Sequence, residues 1–235
     1  MQTIKSCLVI FIGESFRSGG QFSRIIGRPE SFEDQMTAVK SHTRFIKHLS
    51  EMGYHVSTYV GTYETPYVKH LLHEYQPTLY DIYQPHQRIG LNALFHNSYK
   101  HIDINLKNKF SHFFYFRIDL FLKEEFFRQF YIGSLILFPS LCWKKNSLTP
   151  RKFPRVNDTM LFIPNRYFHF IPHMKIGHEN YEILRRTTCL LDKDLGFLFK
   201  TFHDSDTSKD LNPYYRIVNR HESKIFHSPG WSIQK

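Results

Sequence analysis

Phe113–Leu122, FFYFRIDLFL, is an almost unbroken run of apolar and aromatic residues with Arg117 and Asp119 in its middle. A continuous apolar run of this length, rich in Phe and Tyr, predicts a buried central strand. Charges in such a strand must be paired, bound to a metal, or carried to a strand end where solvent or ligand meets them. In open α/β sheets, ligands bind at the carboxyl ends of the strands. The first question posed by the sequence is therefore what Asp119 faces.

Working outward, the residues before this run alternate between two periods. Cys7–Ile12 (CLVIFI) reads as a first buried strand that stops at Gly13. Glu14–Pro29 is a loop of Gly, Ser and Arg. Ser31 then precedes Phe32-Glu33-Asp34, a helix start with acids in its first turn. Met36, Val39, Phe45, Ile46 and Leu49 fit one helical face up to Gly53, a natural stop. His55–Val60 predicts a strand, Tyr67–Tyr75 a helix, Thr78–Tyr83 a strand and Ile89–Tyr99 a helix. This β-α-β-α-β-α-β order predicts an α/β fold with a mostly parallel sheet and helices on its faces. Crossovers of this kind are right-handed, which makes the first half Rossmann-like.

After Asp119 the pattern loosens into a smaller, mixed part. Glu124–Gln129 predicts a short helix, Ile132–Phe138 a strand and Lys144–Val156 a basic loop. Thr159–Ile163 predicts a strand, His178–Leu191 a helix, and Leu195–Phe202 a strand or helix end. Asp204–Asp210 is a polar loop, and Tyr214–Val218 and Lys224–Phe226 are short strands. Neither an internal repeat nor a linker suggests a domain cut.

The 235 residues carry 31 basic and 21 acidic side chains, a formal charge of +10. A basic surface attracts polyanions: nucleic acid, an anionic membrane surface or nucleotide phosphates. The basic residues are scattered, which disfavours a specific nucleic-acid partner. Peripheral membrane contact stays open. Cys7, Cys142 and Cys189 are odd in number and far apart, so neither a zinc ribbon nor a disulfide framework is expected. No run approaches the length of a membrane span. These features together predict a cytoplasmic protein.

Four constellations could carry chemistry. Asp119 could hold a divalent cation, since magnesium or manganese on a diphosphate needs only one or two protein carboxylates. The alternative is an Arg117–Asp119 ion pair closing a strand end. Second, Gly13, Ser15 and Arg17 in GESFRSGG could curl backbone N–H groups and a guanidinium around a phosphate, though the loop matches neither a Walker loop nor GxGxxG. A plain turn is the bland alternative. Third, Asp158 in Asn157-Asp158 could serve as a general base, or simply form an Asx turn. Fourth, His203, His221 and His227 stand near the C-terminus among fifteen histidines.

Taken together, a first strand ending in G-x-S-F-R, a helix with Gln35 and Ser41-His42, a strand ending in R-x-D and a later N-D resemble GT-A-type glycosyltransferases. The likeness is to small nucleotide-sugar enzymes of capsule, lipopolysaccharide and large-virus glycan pathways. It implies a single domain over 1–235, with a nucleotide-binding half at about 1–122 and an acceptor-side half at about 123–235. It also implies transfer of a sugar from a nucleotide-diphosphate donor to a glycan hydroxyl. By the same resemblance, Gly13, Ser15 and Arg17 hold base and ribose, and Asp119 holds Mn2+ or Mg2+ on the diphosphate. Asp158 is the catalytic base and His227 a further metal ligand. Arg117 stands where the family often has a first acid, a departure that bears directly on the metal: with Asp119 it is expected at the donor's diphosphate, faced either through a metal or by Arg117 itself. Two other classes stay open: a sulfotransferase-like enzyme, and a basic module that stacks and binds single-stranded nucleic acid.

Overall fold

The chain is described here by a computed structural model covering residues 5–18, 25–87, 89–139, 141–142, 155–156, 159–174, 195–197 and 213–218. Strand β1 (Lys5–Ile12) is the centre of the molecule. It alternates Cys7, Val9 and Phe11 to one face and Leu8, Ile10 and Ile12 to the other. Each set enters a different hydrophobic cluster, as the two-residue period of a strand with both faces covered requires.

Helix α1 (Phe32–Glu51) covers the first face through Val39, Phe45 and Leu49. Strand β2 (Tyr54–Tyr63) follows and runs parallel to β1. Helix α2 (Val68–Tyr75) adds Leu71 and Tyr75 to the α1 side. Strand β3 (Leu79–Tyr83) then pairs parallel with β2. Helix α3 (Leu91–Asn105) crosses to the opposite face, where Leu94, Phe95 and Ile102 are buried. Strand β4 (His112–Arg117) returns parallel to β1 on its other side. The order β3-β2-β1-β4 therefore reverses direction at β1, which makes the crevice between β1 and β4 the topological switch point.

Helix boundaries follow local chemistry. Gly53 takes φ +85° and gives its N–H to Ser50 after the last turn of α1. Ser31 occupies the expected cap position, but its hydroxyl donates to the Arg28 carbonyl instead of accepting from the helix.

The Phe113–Leu122 run departs from the single strand expected. β4 ends at Arg117, and Ile118-Asp119 form a turn. Leu120–Leu122 is a separate strand, β5, paired antiparallel with Tyr215–Ile217. The cause is the neighbours. Arg117 N–H reaches Thr159 O and Ile118 N–H reaches Ile12 O, each 2.9 Å away, and the next carbonyl, that of Asp119, accepts from Val218 N–H at 2.9 Å on the β5 side instead. β5 instead lies along α1, where Leu122 N–H donates to Ser41 Oγ at 3.0 Å.

Helix α4 (Glu124–Gln129) matches expectation and inserts Phe126 and Phe127 on the α1 side. Strands β6 (Ile136–Phe138), β7 (Met160–Pro164) and β8 (Leu195–Phe197) extend the sheet to seven strands. β7 is antiparallel to both β4 and β6, while β8 and β6 are parallel. The expected α/β class, with a mostly parallel sheet flanked by helices and a smaller mixed part, is what the structure shows. A 3-10 helix over Asn165–His173 buries Phe168, Phe170 and Ile171 on the α3 side and has no counterpart in the sequence reading. Among the described residues, no helix is long and apolar enough to cross a membrane. Asp158, His203, His221, His227, the helix expected over 178–191 and the strand over 224–226 lie outside the described residues.

Candidate functional site

The carboxyl ends of β1, β2 and β4 meet at one edge of the sheet. An open pocket of about 100 Å³ lies there. Gly13, Glu14 and Arg17 line it from the loop after β1, Tyr63 from the end of β2 and Arg117 from the end of β4. Ile89, Leu91 and Leu94, around the start of α3, form its apolar wall. Three of the five expected donor-binding residues thus share one cavity: Gly13, Arg17 and Arg117. Ser15 and Asp119 lie behind its lining.

The loop after β1 is fixed by residues within the core. Gly13 adopts φ +133°, which favours glycine, and donates to Gly61 O at 3.0 Å. Ser15 is fully buried. Thr62 Oγ1 lies 2.7 Å from Gly13 O and 2.9 Å from Ser15 Oγ, and it accepts Ser15 N–H at 3.3 Å. The Ser15 hydroxyl therefore ties the loop to β2. Phe16 sits at φ +50°, an unusual conformation for a bulky side chain. Its ring is buried against Phe32 and Tyr67, at 5.7 and 5.3 Å between centroids. Arg17 is nearly buried and pairs with Glu14 at 3.4 Å.

Gln35 joins this loop to the turn after β4. Its Oε1 accepts Phe16 N–H at 3.1 Å, and its Nε2 donates to Ile118 O at 2.7 Å. The residue is wholly buried in the first turn of α1. The sequence reading noted Gln35 only as part of a resemblance. The available signal was a polar residue four positions before Val39, on the stripe that packs against the sheet.

Arg117 and Asp119 form a two-bonded ion pair. Nε donates to Oδ1 at 2.9 Å and Nη2 to Oδ2 at 2.6 Å, and both side chains are under a tenth exposed. Arg117 continues the Phe113 and Tyr115 face of β4, the side occupied by α3, and so reaches the pocket. Such a fork fixes the guanidinium plane as well as adding charge-assisted bonds.

The expected Mn2+ or Mg2+ can be tested against these donors. Of its two expected ligands, only Asp119 lies within the described residues. Both its oxygens already accept from Arg117, and it is not part of the pocket lining. An ion on those oxygens would stand beside a guanidinium of like charge in a desolvated place. The donor set at Asp119 does not fit a divalent ion. Among the described residues, no three His, Cys, Asp or Glu side chains stand together.

His42 lies behind Asp119 on α1. Its ring stacks on Phe11 at 4.5 Å, and its Nδ1 meets the Tyr75 hydroxyl at 2.7 Å. Burial pushes its pKa from 6.5 down to about 3, against weaker upward pulls from the Leu120 carbonyl and the Asp119 carboxylate. Between these two values the unfolded chain takes a proton that the folded chain refuses. This contribution is intact above pH 6.5 and is lost as pH falls toward 3. The unfolding free energy from urea titration should therefore drop on acidification below pH 6.5, by up to about 1.4 kcal/mol per pH unit from this group. His42→Gln keeps an acceptor for Tyr75 and should flatten that slope; an unchanged slope would assign it to other groups.

No family model matches the chain, and no curated protein is similar to it in sequence. Among solved structures it is similar to the apo form of the glycosyltransferase GlyE of Streptococcus pneumoniae TIGR4. The identity is 16% and the TM-score 0.42, over 83% of this chain and 45% of that one. A second GlyE structure gives 16% identity and a TM-score of 0.39, over 82% of this chain and 45% of that one. The chain thus spans under half the length of the GlyE chains.

Proposed function

We propose that the protein is a glycosyltransferase of GT-A type that binds a nucleotide-diphosphate sugar in the pocket at the switch point. The observation that carries this reading is that two nearly buried guanidiniums, Arg17 and Arg117, come from different strand ends to line one cavity. Glycosyl transfer breaks the bond between sugar and diphosphate, and negative charge builds on the leaving phosphate. Fixed cations in a desolvated cleft stabilise that charge more strongly than water does. Helix α3 adds to this. It begins at Gly90 with no side-chain cap and no acid in its first turn, and Leu91 and Leu94 border the pocket. Its positive end is therefore set beside the same cavity. The apolar wall of Ile89, Leu91 and Leu94 suits a nucleoside, and Glu14 offers an acceptor for ribose or sugar hydroxyls. Asp158 is proposed as the base that accepts the proton of the acceptor hydroxyl. No step of this reaction runs through a divalent ion at Asp119.

A panel of UDP-, GDP- and TDP-sugars tests the proposal by thermal denaturation. The cognate donor at a hundredfold its Kd should raise Tm by about 5–10 °C in a chain of this size. A shift confined to an adenosine phosphosulfate would instead indicate sulfuryl transfer. A shift confined to oligonucleotides and abolished by salt would indicate a nucleic-acid module.

A further inference from the structure

We infer that Arg117 itself takes the charge of the donor's diphosphate, with Asp119 as the carboxylate that positions it and not as a ligand of a metal ion. This rests on the nucleotide-sugar reading above and adds to it how the diphosphate is held. Three observations support the assignment. Arg117 lines the pocket, whereas Asp119 stands behind it. The two bonds from Nε and Nη2 to the carboxylate oxygens hold the guanidinium plane in one orientation. The backbone between the two residues is itself pinned, because Ile118 N–H donates to Ile12 O and Ile118 O accepts from Gln35.

A metal on Asp119 would have to share the carboxylate with the guanidinium, two like charges held together in a place that water barely reaches. A diphosphate in the pocket instead brings charge opposite to that of the guanidinium lining it. Arginine suits the task because one edge of its planar fork can be fixed by a carboxylate while its delocalised charge still attracts a phosphate. Asp119 therefore acts through Arg117, by fixing where the positive charge points.

Calorimetric titration of the full chain with UDP, GDP and TDP, in EDTA and then in MnCl2 or MgCl2, decides the matter. The inference expects the Kd of the nucleotide that binds to differ by less than about threefold between the two buffers. It also expects Asp119→Asn to weaken that nucleoside diphosphate about tenfold in both buffers, leaving affinity for the bare nucleoside unchanged. Nucleotide binding that appears only with the metal, or a metal dependence that vanishes in Asp119→Asn, overturns it while the nucleotide reading stands. Absence of binding by UDP, GDP and TDP in both buffers removes the nucleotide reading, and this inference with it. The comparison of buffers uses the unaltered chain, so it holds even where the variant does not fold.

Discussion

Arg117→Met should lower the folding stability of the protein by about 3–5 kcal/mol, seen as a fall in urea midpoint at neutral pH. The size of the loss comes from what the substitution leaves behind. Asp119 is 3% exposed and takes bonds of 2.9 and 2.6 Å from the guanidinium. Met fills much the same space but supplies no charge, so the carboxylate stays out of water without its counter-ion. Adding Asp119→Asn removes that charge and should restore at least about half of the loss, because a buried ion pair contributes little net stability beyond a neutral replacement. The double variant should still fail to bind a nucleoside diphosphate. Stability and binding therefore separate: the first depends on matching the two residues, the second on a guanidinium that Asp119 orients. A single-variant loss below about 1 kcal/mol would mean that water reaches the pair and that it behaves as a surface salt bridge.

Gln35→Leu comes next in expected size, at about 2–4 kcal/mol. Leu occupies nearly the same volume, so little packing is lost. What is lost is one acceptor for Phe16 N–H and one donor for Ile118 O, in a place wholly shielded from solvent. Each group then carries its own desolvation cost. Phe16 also sits at φ +50°, a conformation that persists only when its surroundings enforce it. Without Gln35 the segment carrying Arg17 can relax, and nucleotide affinity should fall along with stability. Gln35→Glu is the informative companion. It keeps the acceptor for Phe16 and replaces the donor to Ile118 with a second acceptor, so it should be at least as damaging as Leu. Denaturant titration of both variants checks the order; a loss of less than about 0.5 kcal/mol for Leu would show that the clamp does not hold the loop.

Much of the first half was legible because its periods are clean. β1 is apolar on both faces, α1 shows a helical stripe, and Gly53 ends it where a positive φ is required. The break in Phe113–Leu122 was not legible. Leu120–Leu122 is as apolar as β4, so composition continues across the turn; the chain changes partners there, from β1 and β7 to Tyr215–Ile217. The 3-10 segment over Asn165–His173 is short and contains Pro172, which argues against a helix. Its aromatic residues bury by tertiary contact alone. At the candidate site, the sequence singled out Gly13, Arg17, Arg117 and Asp119 because glycines and charges beside apolar strands break the local rule. It missed the part played by Gln35 and Thr62, since a side chain that holds a backbone carries no distinctive pattern. It also placed Ser15 with the ligand, whereas the fold turns that hydroxyl toward Thr62.

Helix α1 has a role beyond covering the sheet. Gln35, Ser41 and His42 lie along one side of it and reach, in turn, Ile118 O, Leu122 N–H and the space beside Asp119. Seven residues separate Gln35 from His42, close to two helical turns, so the contacts stay in phase. Inserting or deleting one residue between them turns one end against the other by about 100°. The hydrophobic content of the helix would hardly change, yet the contacts could no longer be made together. The spacing of the pocket's two arginines is thus encoded in the length of a helix that lines no part of it.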